Sequence, residues 1–248
     1  MNNDISFNFS NKSVLVVGGS RGIGKAIVEE FAKANAHVFY ASRTPMSSRD
    51  NNYKNKVVHL ACDIAKEQEI VDMFVKLDDL CEQIDFVINV AGTNLCEPIS
   101  KINSDEWDRV LDINLKSFFI VSKLAVERMI PAQAGRIVNV SSIAGRHKSI
   151  VSGVHYTSSK AGIIGLTKQL AHEVAKHNIL VNVVCPSQTM TEMLEQSMTP
   201  EQLSVLEGKI PVRRVATTRE QAIPALFLCS SASSYITGTA LDVNGGQF

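Results

Sequence analysis

The order of hydrophobic and polar positions alternates between a period typical of strands and a period typical of helices along the whole chain. Residues 14–17 form an unbroken aliphatic run, which predicts a parallel strand covered on both faces. Apolar residues then recur at helical spacing, at Ile23, Ile27, Phe31 and Ala34. This spacing predicts a helix from Gly22 to about Lys33. Further strands are predicted at 37–41, 57–61, 86–89, 136–140, 180–184 and 240–243, with helical segments between them.

This series of strands and helices predicts an α/β fold with a single domain over residues 1–248. Because crossovers between parallel strands are right-handed, we expect a Rossmann-type, doubly wound sheet of seven parallel strands with helices on both faces. Residues 42–56 contain proline, serine and an Asp-Asn-Asn run, which predicts a loop where a crossover helix could have been. Residues 104–130 are apolar nearly all round, so this helix is expected to be buried or to contact another subunit.

Composition narrows the classes of function. The 248 residues include 25 Lys plus Arg and 25 Asp plus Glu, so no net charge attracts nucleic acid or an anionic membrane. The first residues lack a basic region followed by an apolar core, and no run approaches the ~18 apolar residues that would span a bilayer, so we expect a soluble, cytoplasmic protein. Neither cysteines nor histidines show metal-ligand spacing, and no metal site is expected. Free thiols in a reducing compartment are expected for the five cysteines Cys62, Cys81, Cys96, Cys185 and Cys229.

A glycine-rich turn follows the first predicted strand. Gly18, Gly22 and Gly24 allow close approach of the backbone, and the N-terminus of the next helix offers free N–H groups, so the turn is a candidate cradle for a pyrophosphate. Residues 18–22 also match the G-x-S-x-G nucleophile elbow of hydrolases. Several strands normally precede such an elbow, whereas only one does here, which favours the dinucleotide interpretation.

A tyrosine and a lysine are four residues apart in a predicted helix that opens at Tyr156. Tyr156 and Lys160 therefore lie on one helix face, unless they are neighbours by chance. An ammonium ~4 Å from a phenolate, at an effective dielectric constant of ~20, favours the phenolate by about 4 kcal/mol, or roughly three pKa units. A tyrosine with such a pKa serves as general acid and base. Ser142 follows the strand at 136–140, at the sheet edge where α/β folds bind ligands, and Asn114 is an amide inside an apolar helix.

From end to end the chain resembles the short-chain dehydrogenase/reductase family. The resemblance is carried by the glycine turn, Asp63 in Cys-Asp-Ile, Asn-Val-Ala-Gly at 89–92, the Tyr156 and Lys160 pair, and Pro-Ser-Gln-Thr-Met-Thr at 186–191. It implies reversible hydride transfer between a nicotinamide cofactor and a carbonyl or secondary alcohol. The implied cofactor-binding residues, with those favoured by the phosphate argument below, are Gly18, Ser20, Arg21, Gly22, Ile23, Gly24, Ser42, Arg43, Asp63, Ile64, Asn89, Ala91, Gly92, Tyr156, Lys160, Pro186, Thr189 and Thr191.

The resemblance also implies four catalytic roles. Ser142 would bind the substrate carbonyl, and Tyr156 would protonate its oxygen. Lys160 would lower the pKa of Tyr156 and hold the cofactor ribose, while Asn114 would anchor a water behind it. Three positions depart from the family pattern: Val17, Val90, and Ser187, which stands where the family has glycine and would be strained if that position needs a positive φ.

The second predicted strand indicates which nicotinamide cofactor is bound. An NAD enzyme needs an acidic residue there for the ribose 2′-hydroxyl, but this strand ends in Ala41, Ser42 and Arg43. Arginine suits a 2′-phosphate, and Arg21 in the glycine turn is a second candidate. Each arginine alone could be a solvated loop residue. Together with Ser42 they favour NADP(H).

The substrate is less well specified. We expect a lid at about 188–211, whose methionines and leucines line the pocket or simply pack together. Arg146, His147 and Lys148 either bind an anionic substrate group or form a solvated loop. Within the family the chain also resembles the 3-oxoacyl-carrier-protein reductases, which meet an acidic carrier with basic side chains near the ends of two helices. The corresponding residues here, Pro-Ala-Gln-Ala at 131–134 and Lys-His-Asn at 176–178, are poorly basic. We therefore expect a small-molecule carbonyl reductase, with the fatty-acid role and a non-catalytic NADP-binding sensor as alternatives, and a homotetramer or dimer.

Overall fold

The computed structural model describes residues 6–46, 56–149 and 151–247. The first half contains β1 (Ser13–Val17), α1 (Gly22–Lys33), β2 (His37–Ser42), β3 (Val57–Ala61), α2 (Glu67–Leu80), β4 (Phe86–Asn89), α3 (Ser104–Leu111) and α4 (Ser117–Ala132). The second half contains β5 (Gly135–Val140), α5 (Ile143–Arg146), α6 (Val154–Val174), β6 (Ile179–Pro186), β7 (Thr189–Met190), α7 (Glu192–Ser197), α8 (Pro200–Gly208), β8 (Ala216–Thr217), α9 (Thr218–Cys229) and β9 (Ala240–Val243).

Seven parallel strands form the central sheet in the order β3-β2-β1-β4-β5-β6-β9. The predicted Rossmann-type sheet is thus confirmed. The strands after β1 are added on one side of it as far as β3 and on its other side from β4 onward. At such a switch point a crevice opens beyond the carboxyl ends of the strands. A separate two-stranded sheet pairs β7 with β8.

Burial on both faces explains the continuous aliphatic run of β1. Val14 and Val16 pack with α1 and α9 on one face. Leu15 and Val17 pack with α2, α4 and α6 on the other face. Because alternate side chains of a strand point to opposite faces, each of the four buried positions, 14–17, must be apolar. The valine at position 17 is part of this packing.

The long apolar helix differs from its prediction in one respect. Between α3 and α4 lies a wide π-helical turn, Asp112–Lys116, which contains Asn114. Turns of this kind insert an extra residue and are frequent at functional sites. In the single chain α3 buries only Val110, and α4 buries seven of its 16 residues, while the side chain of Phe119 on α4 is 52% exposed.

Other boundaries shift by a few residues: β5 begins at Gly135, β6 runs from Ile179 to Pro186, and α6 begins at Val154. Of the loop predicted at 42–56, the residues 47–55 lie outside the described part of the chain.

The lid region packs mainly against itself. Met190, Leu194, Met198 and Leu203 surround a small cluster of Leu206, Ile210 and Val215. A capping box of Thr199 and Gln202 starts α8. This arrangement favours the packing interpretation of the lid's apolar residues, because they form a satellite core of their own.

Candidate active site

The turn after β1 needs glycine at several positions, because a Cβ there would collide with neighbouring main chain or strain the backbone. Gly18 and Gly22 have φ of 96° and 56°, in the left-handed region that glycine adopts without strain. A Cβ added to Gly24 would collide with the carbonyl oxygen of Gly18, and one on Gly18 would lie 2.6 Å from the main chain of Ala91. The turn therefore lies directly beside the segment that follows β4.

The turn feeds directly into α1, whose first N–H groups face the crevice. Arg21 is the N-cap residue, and no side chain among the described residues bonds that end of α1 as a cap. The first turn of α1 also contains no acidic residue. Free N–H groups and the positive end of the helix dipole suit a phosphate, so the residues present fit the pyrophosphate of a dinucleotide.

Two of the predicted catalytic residues meet at the opposite side of the crevice. Burial raises the pKa of Tyr156, and a hydrogen bond from Ser142 opposes that rise. Ser142 caps α5, where its Oγ accepts a bond from the N–H of Ala144 at 3.1 Å. The neighbouring Ser141 instead donates its hydroxyl to the carbonyl oxygen of Lys160 at 2.7 Å. Ser141 is therefore bonded to the main chain of α6, whereas Ser142 is the serine that contacts the phenol of Tyr156.

Lys160 is buried beside the tyrosine but is directed elsewhere. Its Nζ donates to the carbonyl oxygen of Val140 at 3.0 Å and lies 5.7 Å from the centroid of the Tyr156 ring. Burial lowers the pKa of Lys160 to about 8. The expected fall in the pKa of Tyr156 is wrong for this structure, because desolvation of the phenol outweighs the hydrogen bond from Ser142 that lowers the pKa.

Asn114 connects the π-helical turn to two other segments. Its Oδ1 accepts from the N–H of Thr93 at 2.8 Å, and its Nδ2 donates to the Thr93 carbonyl at 2.8 Å and to Ser159 Oγ at 3.1 Å. A Cβ on Gly92 would lie 3.2 Å from Asn114 Oδ1 and 3.5 Å from Lys160 Nζ. The amide thus holds the segment after β4 against α6, beside the lysine. Its role in anchoring a water stays a prediction.

The residues that end β2 and β3 lie on the adenosine side of the crevice. Ser42 Oγ donates to the carbonyl oxygen of Thr44 at 2.6 Å and lies 3.1 Å from His59 Nε2. Arg43 is exposed. Asp63 Oδ1 accepts from the N–H of Ala65 at 3.2 Å, which shapes the turn beyond β3 that continues through Ile64. The sequence analysis did not single out His59, which reaches Ser42 only through the pairing of β2 with β3.

The side chain of Asn89 is bonded inside the protein, and a contact of this residue with the cofactor stays a prediction. Asn89 is only 1% exposed, and its Nδ2 donates to Asn139 Oδ1 at 2.9 Å and to Ser122 Oγ at 3.4 Å. The side chain therefore ties β4 to β5 and α4 inside the protein, and it does not line the crevice. The same network continues from Asn139 to Thr167 on α6.

The segment after β6 reaches over the glycine turn. Thr191 caps α7 with its Oγ1, and its methyl group would lie 3.5 Å from a Cβ added to Gly22. Thr189 donates to the carbonyl oxygen of Ser187 at 2.9 Å. Ser187 follows Pro186 without strain, because its φ is not among the positive values of the described residues. The departure from glycine therefore costs nothing here.

The basic run beyond Ser142 is partly neutralised. Arg146 forms an ion pair with Asp242 on β9, with Nη2 and Oδ2 3.1 Å apart. Lys148 is exposed. This pairing weakens the idea that Arg146 binds an anionic substrate group. The sequence could not have indicated it, since the partners are 96 residues apart.

Within the described ranges, no group of His, Cys, Asp and Glu side chains could hold a metal ion. No helix described there is long and apolar enough to cross a bilayer.

The fold and the site together define a nicotinamide-dependent oxidoreductase. The glycine turn, the N-terminus of α1 and Thr191 form a crevice that fits a dinucleotide. Ser142 and Lys160 both lie beside Tyr156. The alternative of a hydrolase elbow at residues 18–22 fails, because this turn follows the first strand of a Rossmann-type sheet.

Comparison with known proteins supports the assignment to the oxidoreductases. The family profile described as Enoyl-(Acyl carrier protein) reductase matches residues 17–247. The 3-oxoacyl-[acyl-carrier-protein] reductase of Aquifex aeolicus is 35% identical over 243 residues, which cover 96% of this chain and 97% of that protein. The chain belongs to the short-chain dehydrogenase/reductase family.

Two solved structures are also similar. The aldohexose dehydrogenase of Thermoplasma acidophilum superposes with a TM-score of 0.87 at 30% identity and covers 96% of this chain and 94% of its own. A 3-oxoacyl-[acyl-carrier protein] reductase from Brucella melitensis with bound NAD has a TM-score of 0.86 at 31% identity, covering 96% of this chain and 92% of its own.

Proposed function

We propose that the protein uses NADPH to reduce the carbonyl group of a small molecule to a secondary alcohol, and that it runs the reverse reaction with NADP. The observation that carries the proposal is the placement of Ser142 and of the buried Lys160 beside Tyr156, whose hydroxyl bonds Ser142 and whose ring centroid lies 5.7 Å from Lys160 Nζ. A bound reduced nicotinamide supplies the hydride to the carbonyl carbon.

Residues of the chain supply the proton that the substrate oxygen needs and stabilise the negative charge left on the tyrosine. The hydroxyl of Ser142 donates a hydrogen bond to the substrate oxygen, and Tyr156 transfers its phenolic proton to the same oxygen. The phenolate left behind is stabilised by the ammonium of Lys160, which is buried beside the tyrosine. A proton from solvent then restores the phenol. The low dielectric constant around these groups strengthens each interaction.

The preference for NADP(H) is supported by the residues beside β2. This strand ends in Ser42 and the exposed Arg43, with His59 3.1 Å from the Ser42 hydroxyl, and the exposed Arg21 precedes α1. These are donors for a 2′-phosphate, and no carboxylate stands at residues 41–43 to bind a 2′-hydroxyl. The Brucella reductase with bound NAD shows that the fold also accepts NAD, so the preference must come from side chains such as these.

A small substrate is favoured over an acyl carrier protein by the ends of two helices. Gln133, after α4, and His177, after α6, hydrogen-bond each other with Nε2 and Nδ1 3.1 Å apart. Arg128 is bound to both carboxylate oxygens of Asp78, at 2.7 and 2.6 Å. These bonds engage the side chains of Arg128 and His177, so that the exposed Lys176 is the remaining basic residue at the end of α6. The likeness to aldohexose dehydrogenase also favours a small hydroxylated substrate.

The role of 3-oxoacyl-carrier-protein reductase is the second candidate. It is supported by the Aquifex relative, which matches over nearly the whole length of both proteins. A sensor that has lost catalysis is a weaker alternative, because Asn114, Ser142, Tyr156 and Lys160 are all present.

We also propose a homo-oligomer, a tetramer or dimer, built on α4 and α6. A groove of about 750 Å³ runs between these helices and is lined by apolar side chains that include Phe119, Val126, Leu166 and Leu170. A cytoplasmic location is supported by the five free cysteines. Light scattering that shows only a monomer would contradict the assembly.

The decisive experiment follows oxidation of NADPH, with NADH in parallel, against keto-sugars, quinones, cyclic ketones and acetoacetyl thioesters, both free and on a carrier protein. Turnover confined to small carbonyl compounds supports the proposal, and turnover confined to the carrier-bound thioester establishes the second candidate. Tyr156→Phe is expected to lower kcat by about 10²- to 10⁴-fold with an unchanged Kd for NADPH. An active Tyr156→Phe protein contradicts the proposed chemistry.

A further inference from the structure

A fully buried histidine occupies the position directly before Tyr156. The side chain of His155 is 0% exposed. Its Nδ1 accepts a hydrogen bond from the main-chain N–H of Tyr156 at 2.9 Å, and its Nε2 lies 3.0 Å from Oε1 of Glu106 on α3. Nδ1 carries no proton, since it accepts from an N–H, and Nε2 carries one, since a carboxylate only accepts. The two contacts therefore assign the neutral Nε2–H tautomer.

The structure leaves a specific place for this ring. A Cβ added to Gly153 would lie 2.5 Å from Cε1 and 2.8 Å from Nδ1 of His155. Glu106 is itself held in place, because its N–H donates to Asn103 Oδ1, the N-cap of α3, at 2.8 Å. The N–H of Gly153 donates to the carbonyl oxygen of Leu95 at 3.2 Å. The imidazole thus connects α6 with α3 beside the loop after β4.

The main chain of Tyr156 is consequently held on both sides. His155 holds its N–H, and its carbonyl oxygen accepts from Ser159 Oγ at 2.7 Å. Ser159 in turn accepts from Asn114 Nδ2 at 3.1 Å. A phenol that must meet both Ser142 and a substrate oxygen depends on this placement, because a displacement of about 1 Å can lower a rate about 100-fold.

We propose that His155 is a positioning residue for Tyr156, and that the bond from the Tyr156 N–H to its Nδ1 is the contact that sets the turnover rate. The inference rests on the proposed function, in which Tyr156 is the general acid. The bond to Glu106 serves to orient the ring.

Two conservative variants separate the two bonds. His155→Asn keeps an acceptor close to the position of Nδ1 but does not reach Glu106, whereas His155→Gln reaches toward Glu106 without an acceptor at Nδ1. We expect His155→Gln to lower kcat about 10- to 100-fold, with the Kd for NADPH unchanged, and His155→Asn to restore most of that loss. His37→Gln, at the exposed start of β2, is the matched control and should behave as the wild type.

A second readout does not depend on turnover. Nitrogen-15 NMR of the histidine rings in the wild type is expected to show one buried ring with an unprotonated Nδ1 and a protonated Nε2, which disappears in both His155 variants. A protonated Nδ1, full activity of His155→Gln, or equal losses of kcat in the two variants would each overturn the inference. If the wild type turns over none of the carbonyl substrates named above, the proposed function fails, and the role of His155 fails with it. An active wild type with an unaffected His155→Gln defeats this inference alone.

Discussion

Replacing Lys160 by methionine should change how stability depends on pH. The folded protein holds the lysine away from water, with its Nζ bonded to the Val140 carbonyl, and burial lowers its pKa from 10.5 to about 8. The unfolded chain therefore binds more protons than the folded chain between these two values, and wild-type stability rises with pH across that window. Methionine has a similar length and no proton to lose.

The size of the effect follows from the same two values. A fall in pKa from 10.5 to about 8 costs the folded state about 3 kcal/mol at pH 7, at about 1.4 kcal/mol per pKa unit. The cost falls to about 1 kcal/mol at pH 10. Lys160→Met removes this dependence, so the free energy of unfolding of the variant relative to the wild type should fall by about 2 kcal/mol from pH 7 to pH 10. Other groups titrate equally in both proteins and cancel.

The assay is urea unfolding without cofactor, at equal protein concentration, followed by circular dichroism at several pH values between 7 and 10. Lys168→Met, on an exposed position of α6, is the control and should follow the wild-type profile in parallel. A difference between Lys160→Met and wild type that stays constant over this range would refute the assigned burial of a charged lysine. Lys160→Met should also lose turnover. A gain in its free energy of unfolding at pH 7 would then show that the lysine is kept for function at a cost in stability.

Three further predictions concern other parts of the molecule. Gly24→Ala drives a Cβ into the main chain of the glycine turn and should raise the Kd for NADPH about 10- to 100-fold, whereas Gly208→Ala, which has no neighbour within 4 Å, should leave it unchanged; equal Kd values by fluorescence titration would contradict the cradle. Arg43→Asp should weaken NADPH binding about 10-fold or more relative to NADH, and an unaltered ratio of the two Kd values would refute the phosphate site. Hydrogen bonding with Arg214 lowers the pKa of Glu220 to about 2, so its stabilising effect is present above pH 4.5 and is lost as the pH falls through about 2. Thermal melts of wild type and Glu220→Gln should therefore converge on acidification, and parallel curves would argue against the ion pair.

Contacts between distant segments were beyond the reach of the sequence. Gln133 meets His177, and Arg146 meets Asp242, only because the ends of separate elements are packed side by side. His155 likewise reaches Glu106 only because α3 packs against α6. Residue type and spacing contain no information on such pairs, since either partner alone would suit a solvated surface.

Local periodicity determined most of the fold and the identity of the reacting groups. The aliphatic run of β1, the glycines of the turn and the four-residue spacing of Tyr156 and Lys160 are each properties of a short stretch, and such properties can be read without tertiary contacts. The tertiary structure decided the electrostatics. Burial raises the pKa of Tyr156 where the spacing predicted a fall, and Lys160 Nζ donates to the carbonyl oxygen of Val140. Desolvation depends on everything packed around a group, and for that reason only the folded chain could set it.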